Sequence, residues 1–238
     1  MKLFLPKQHG AWAMLILPFW LGAAASEVVW SHIPFFLGWT LLYLATYPSL
    51  LLFKRKKMAY YAKWTAIYMV PAILLLIVPL TARLSIILFG FLMIPFFIIN
   101  AYYSSKNQDR ALGNDFSAIF AFSIAGLASS YLPNGEITAL SLTVFAASIL
   151  FFAGSTFYVK SMIREKKNLS FRWISWIYHA AVPLVWLMMG EWIIAVSFLP
   201  SLYRSIAFYG KAFSPKKIGI FEIANAAIFF VLILIAIN

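Results

Sequence analysis

Residues 83–104 read RLSIILFGFLMIPFFIINAYYS, and the chain carries no charged residue between Arg83 and Lys106. A helix of about 20 mostly apolar residues is long enough to cross the hydrocarbon core of a bilayer. A soluble protein would have to bury such a helix on every side. The segment therefore predicts a transmembrane helix.

The composition extends this prediction to the whole chain. Of the 238 residues, 63% are hydrophobic and 11% are charged, whereas a soluble domain has about 45–50% apolar and about 25% charged residues. A single soluble core cannot hide that excess, because too much surface remains outside it. We therefore expect an all-α polytopic membrane bundle that forms one integral-membrane domain over residues 1–238. The chain has no cysteine, which excludes disulfides, thiolate metal sites and cysteine nucleophiles.

Nine segments satisfy the length and polarity required of a spanning helix. They are residues 11–30, 33–53, 59–80, 83–104, 114–132, 138–160, 173–189, 191–209 and 218–237. The pair within 173–209 is separated only by Gly190 and Glu191, and a re-entrant pair there would move the C-terminus to the other side. Lys2 and Lys7 before an apolar run resemble a signal peptide, but the run continues through Trp30, which favours a retained first span.

The basic residues predict the orientation of these spans. Of the 19 Lys and Arg residues, all but Arg83 lie in or beside the N-terminus and the loops at 54–58, 105–113, 161–172 and 210–217. Cytoplasmic loops carry such an excess, so we expect a cytoplasmic N-terminus and an exported C-terminus in the cytoplasmic membrane. Because the net charge of +12 is confined to short clusters between apolar runs, we expect lipids as partners and no nucleic acid.

Polar residues are costly inside a membrane, and those that persist usually face a cavity. Such residues are concentrated in the cytoplasmic half of the predicted spans, where they recur at helical spacing. The candidate binding residues are Gln8, His9, Asn100, Asp115, Tyr158, Lys160, Arg164, Arg204 and Asn225. His179 and Glu222 are candidate general bases, and Glu222 is expected to contact Arg204, His179 or Lys160. The competing interpretation is that His179 only links helices and that Lys160, Arg164 and Arg172 only meet lipid headgroups.

Several ordered motifs resemble those of the bacterial YwiC-like family. They are Pro6-Lys7-Gln8-His9-Gly10-Ala11-Trp12, Tyr158-Val159-Lys160 through Ile163-Arg164-Glu165, Tyr178-His179, and Ile218-Gly219 followed by Glu222. The opening Gln-His-Gly-Ala-Trp is the most specific of these. The resemblance covers nearly the whole chain but implies no particular reaction.

The predicted topology also resembles that of the UbiA superfamily of membrane prenyltransferases. Those enzymes hold a prenyl diphosphate through Mg²⁺ and Asn-x-x-x-Asp-x-x-x-Asp motifs. Aligning Asn100 with the first motif residue places Ser104 and Gln108 where aspartates belong. Mg²⁺ requires hard oxygen ligands, so the sequence predicts no metal site, and it identifies no cofactor.

Three functions remain open at this point. The leading hypothesis is a divergent UbiA-like protein that handles an anionic lipid or isoprenoid, with cations stabilising a phosphorylated headgroup. The first alternative is a small-solute transporter, because prolines within spans could interrupt helices. Those prolines are Pro18, Pro71, Pro95, Pro183 and Pro200. The second alternative is a non-catalytic assembly or cofactor-insertion factor.

Overall fold

The computed structural model describes residue 4, residues 10–54 and residues 57–238, and within them every regular element is a helix. The helices are α1 (Gly10–Ala24), α2 (His32–Leu52), α3 (Met58–Ala82), α4 (Ile87–Ser105), α5 (Leu112–Tyr131), α6 (Ala139–Ile163), α7 (Leu169–Met188), α8 (Trp192–Ser197), α9 (Leu199–Ala207) and α10 (Pro215–Ile237). A 3₁₀ turn at Leu84–Ile86 precedes α4. The predicted all-α fold is confirmed.

Six helical segments in the described part of the chain are long and apolar enough to cross a membrane. They are α2, α3, α4 with its preceding turn, α5, α6 and α10. Each coincides with one of the nine predicted spans, so the protein is a multi-pass helical membrane protein. The other three predicted spans correspond to α1, α7 and the α8–α9 pair, and for these the crossing of the membrane stays a prediction.

The first predicted span is too long. Helix α1 ends at Ala24, and residues 25–31 form the connection to α2. The imidazole of His32 holds this connection, since its Nδ1 lies 3.0 Å from the Val29 amide and its Nε2 lies 2.9 Å from the Ser129 carbonyl. Val28 and Trp30 are exposed. Apolar composition alone does not distinguish such a turn from a continuing helix.

The eighth predicted span is divided into α8 and α9 at Phe198. Pro200 lies in the first turn of α9, where its missing N–H is tolerated. Breaks at the other prolines are not observed, because Pro18, Pro71, Pro95 and Pro183 all lie inside continuous helices. Packed membrane helices tolerate proline where neighbouring groups satisfy the backbone.

The first of two compact units comprises Met1–Leu142. Helix α1 packs against α5, and a Cβ at Gly22 would overlap the backbone carbonyl of Gly126. Arg83 binds the carbonyls that follow α5, with its Nε 3.0 Å from the Leu132 oxygen. That contact gives the one basic residue outside the predicted cytoplasmic loops a structural role.

The second unit comprises Thr143–Asn238 and contains most of α6 together with α7–α10. Phe151 and Phe229 stack with their ring centroids 4.0 Å apart, and Phe198 packs against both at the α8–α9 break. Tyr158, Met162 and Ile218 form a second buried cluster. The expectation of one domain stays a prediction, since compact packing does not decide whether the units fold together.

Candidate functional site

An ion pair between a buried arginine and a half-buried glutamate joins α9 to α10 in the second unit. The Arg204 guanidinium donates to the Glu222 carboxylate, and the two side chains are 4% and 17% exposed. The predicted contact of Glu222 with a cation is therefore confirmed. Glu222 pairs with a cation because an unpaired carboxylate at this position would be costly to keep charged.

Arg204 makes two further contacts, both with α6. Its Nη2 lies 3.3 Å from the Ser155 hydroxyl, and its guanidinium carbon lies 4.3 Å from the centroid of the Tyr158 ring. Of the donors on Arg204, Nε has no acceptor among the described residues. Arg204 is thus better placed to hold α6, α9 and α10 together than to bind a ligand headgroup.

A second polar group lies nearby on α7, α9 and α10. The Asn225 amide donates to the Ser201 hydroxyl over 2.9 Å. His179 is 3% exposed, and its Nδ1 lies 2.7 Å from the Ser175 carbonyl. Of the predicted site residues, His179 and Asn225 thus both lie in the interior of the unit.

A pocket of about 180 Å³ lies where the loops after α6 and α9 meet, and we refer to it as the lysine pocket. It is lined by Ser161, Met162, Lys166, Gly210, Lys211 and Ala212. Gly210 has φ +78°, and a Cβ built on it would meet no atom within 4 Å. The chain therefore turns at Gly210 in a conformation that favours glycine, and no neighbouring atom fills the space where a Cβ would lie.

Arg172 lies among aromatic rings close to the lysine pocket, in addition to the two lysines that line it. The guanidinium carbon of Arg172 lies 5.0 Å from the rings of Trp173 and Trp176 and 5.6 Å from that of Tyr209. The Tyr209 hydroxyl donates to the Lys166 carbonyl over 3.1 Å. Tyr209 thus connects Arg172 to a residue that lines the pocket.

The candidate residues predicted from the sequence do not include Lys166 or Lys211. The sequence did contain an indication of both lysines, because they lie in loops that the charge pattern identifies as basic. The sequence did not indicate that these two loops meet. Of the predicted cations in this region, Lys160 is buried and Arg164 is exposed.

The remaining predicted site residues lie elsewhere. Asn100 and Asp115 belong to the first unit, on α4 and α5, and Asn100 Oδ1 has no donor among the described residues. Gln8 and His9 lie outside the described residues. Among the residues that the structure describes, no group of three His, Asp or Glu side chains could hold a metal ion.

Comparison with known proteins gives relatives along the whole chain. The sequence pattern of the family described as "YwiC-like protein" matches residues 5–130. The chain is 42% identical over 230 residues to the "Uncharacterized protein YwiC" of Bacillus subtilis (strain 168), covering 96% of each. It is 39% identical over 236 residues to an "Uncharacterized protein" of Haemophilus influenzae, covering 99% of each. No solved structure matches the chain significantly.

Proposed function

The chain belongs to the YwiC-like family, and we propose that it is a membrane protein that binds an anionic lipid and holds the phosphorylated headgroup in the lysine pocket of its second unit. The observation that carries this proposal is the pocket of about 180 Å³ lined by Lys166 and Lys211. Lysine ammonium groups form charge-assisted hydrogen bonds with phosphate oxygens. The lipid is a phospholipid or an isoprenoid phosphate.

The size and surroundings of the pocket support a headgroup as its occupant. Pockets for drug-sized ligands usually enclose about 300–1,000 Å³, so the lysine pocket suits a phosphate-sized group rather than a whole lipid. Ile174 and Ile177 follow Arg172 along α7 and are exposed, at 51% and 64%. They offer an apolar surface for the lipid chain.

The proposed side of the membrane is the cytoplasmic one. Lys166 and Lys211 lie in two of the basic loops from which that orientation is predicted. Anionic lipids of the cytoplasmic leaflet attract clusters of basic residues at the membrane surface. The headgroup would therefore reach the lysine pocket from the leaflet in which it already resides.

Prenyl transfer is not part of the proposal. None of the six residues that line the lysine pocket is a carboxylate, and a diphosphate bridged by Mg²⁺ would require several. The Glu222 carboxylate is engaged by Arg204. We therefore propose recognition of a headgroup by cations and assign no reaction to it.

The double variant Lys166→Gln/Lys211→Gln is expected to weaken binding of a short-chain phosphatidylglycerol by roughly tenfold or more, because losing even one charge-assisted hydrogen bond costs about 1.5–3 kcal/mol. Calorimetric titration of the detergent-purified protein measures the affinity, and native mass spectrometry measures how much lipid is retained. EDTA should leave both unchanged.

Lys106→Gln/Lys216→Gln is the matched control, since it removes the same charge from two exposed lysines outside the pocket. Equal weakening in the control pair, or equal binding of zwitterionic phosphatidylcholine, would contradict the proposal. Farnesyl phosphate and inorganic phosphate distinguish the sources of the headgroup. Tighter binding of farnesyl phosphate identifies an isoprenoid, and equal binding of inorganic phosphate would argue against a lipid.

One observation favours a permease as the second candidate function. The α8–α9 break lies about one helical turn before Ser201 and about two turns before Arg204. Discontinuous helices form the binding sites of many transporters. Alternating access would expose a cysteine introduced by Ser201→Cys to a membrane-impermeant maleimide from either side. Ser201 is 4% exposed, so the lipid-binding proposal expects no labelling from either side. The natural chain has no cysteine that could interfere.

A further inference from the structure

The His179 imidazole carries an unused hydrogen-bond acceptor in the interior of the second unit. Its Nδ1 lies 2.7 Å from the Ser175 carbonyl, and a carbonyl can only accept, so Nδ1 carries the proton. In a neutral imidazole, Nε2 then has a lone pair. This atom is buried and has no hydrogen-bond partner among the described residues.

A cavity of about 10 Å³ adjoins the imidazole, with His179, Gly154 and Ser201 in its lining. A cavity of about 10–15 Å³, measured as the space open to a water-sized sphere, holds one water molecule. Gly154 keeps this space open, because a Cβ on it would lie 3.2 Å from His179 Nε2 and 3.3 Å from Tyr178 Cε1. The glycine therefore permits a small polar molecule beside the imidazole.

Ser201 supplies the second polar partner that a buried water requires. Its hydroxyl oxygen accepts from the Asn225 amide over 2.9 Å. Within Thr143–Asn238, all of which the structure describes, none of the observed hydrogen bonds uses the Ser201 hydroxyl as donor. That hydrogen is available to a molecule in the cavity.

We propose that the cavity binds one water molecule, which donates to His179 Nε2 and accepts from the Ser201 hydroxyl. The water completes a hydrogen-bonded chain from Ser175 through His179 and Ser201 to Asn225, linking α7, α9 and α10. Without it, the buried acceptor on His179 loses its hydration and gains nothing in return. This site is separate from the lysine pocket and does not depend on lipid binding.

Nitrogen-15 NMR of the full-length protein, labelled at the histidine rings and held in lipid nanodiscs, tests the proposal. His179 should show a protonated Nδ1 and an unprotonated Nε2. The Nε2 resonance should be shifted upfield from that of a nitrogen without a hydrogen bond, and it should correlate with a water proton. Gly154→Ala should move Nε2 to the position of a nitrogen without a hydrogen bond and remove the correlation.

His32 is the internal control. Its Nε2 donates to the Ser129 carbonyl over 2.9 Å and its Nδ1 accepts from the Val29 amide over 3.0 Å, so it should show the opposite tautomer and remain unchanged in Gly154→Ala. If Gly154→Ala also disturbs the His32 resonances, the Ser201→Ala variant is used in place of Gly154→Ala. Ser201→Ala should weaken the correlation between His179 Nε2 and the water proton. The proposal is overturned if His179 Nε2 in the natural protein is protonated or lacks a water correlation.

Discussion

Glu222→Ala is expected to destabilise the protein by about 3–5 kcal/mol, which is the typical cost of removing one partner from a buried ion pair. Arg204 would remain, with a side chain 4% exposed and without its carboxylate. Its remaining contacts, the Ser155 hydroxyl and the Tyr158 ring, carry no negative charge. The guanidinium would therefore have to stay charged in an apolar interior or draw the unit open toward water.

Denaturant unfolding of the detergent-purified protein measures the loss. The matched control is Asp109→Ala, which breaks the Lys54–Asp109 pair, whose side chains are 21% and 39% exposed. The Lys54–Asp109 pair is the more exposed of the two, and a pair at the surface contributes only about 0–1 kcal/mol, so Asp109→Ala should lose little stability. Arg204→Met/Glu222→Leu should recover most of the stability, because apolar residues of similar size often replace a buried pair without loss. If Glu222→Ala and Asp109→Ala lowered the free energy of unfolding equally, the greater burial of the Arg204–Glu222 pair would not make it the stronger of the two pairs.

The pairing of Glu222 with a cation was predictable from the sequence, although Arg204 was only one of three candidate partners. A carboxylate within an apolar helix needs a cation, and few cations are available in the membrane-embedded part of the chain. The concentration of polar residues at helical spacing also predicted that Asn225 faces the interior, and the structure buries it. Both inferences depend only on the cost of polar groups in lipid and on the period of the helix.

The lysine pocket was not predictable in the same way. It requires the loops after α6 and α9 to meet, since both contribute lining residues. Charge patterning identifies loops as basic without showing which of them lie together. The end of α1 at Ala24 was missed for a related reason, since the turn that follows is fixed by the distant Ser129 carbonyl through His32.

Gly126→Ala is expected to destabilise the first unit by about 1–3 kcal/mol, the usual cost of overfilling a packed contact. A Cβ at Gly126 would overlap the backbone carbonyl of Pro18, and a Cβ at Gly22 would overlap that of Gly126. Backbone atoms cannot move aside as a side-chain end can, so α1 and α5 would have to separate. Close approach through small residues is a common way for membrane helices to associate.

Gly90→Ala on α4 is the matched control, because a Cβ there meets no atom within 4 Å. Alanine is favoured over glycine in a helix by about 1 kcal/mol, so the control should be neutral or slightly stabilising. Denaturant unfolding measures both variants, and hydrogen exchange should rise in Gly10–Ala24 for Gly126→Ala alone. If Gly126→Ala were as stable as Gly90→Ala and exchange in α1 stayed unchanged, the two glycines would not fix the approach of α1 to α5. The contact would then have to rest on the side chains that α1 buries, among them Leu15, Phe19 and Leu21.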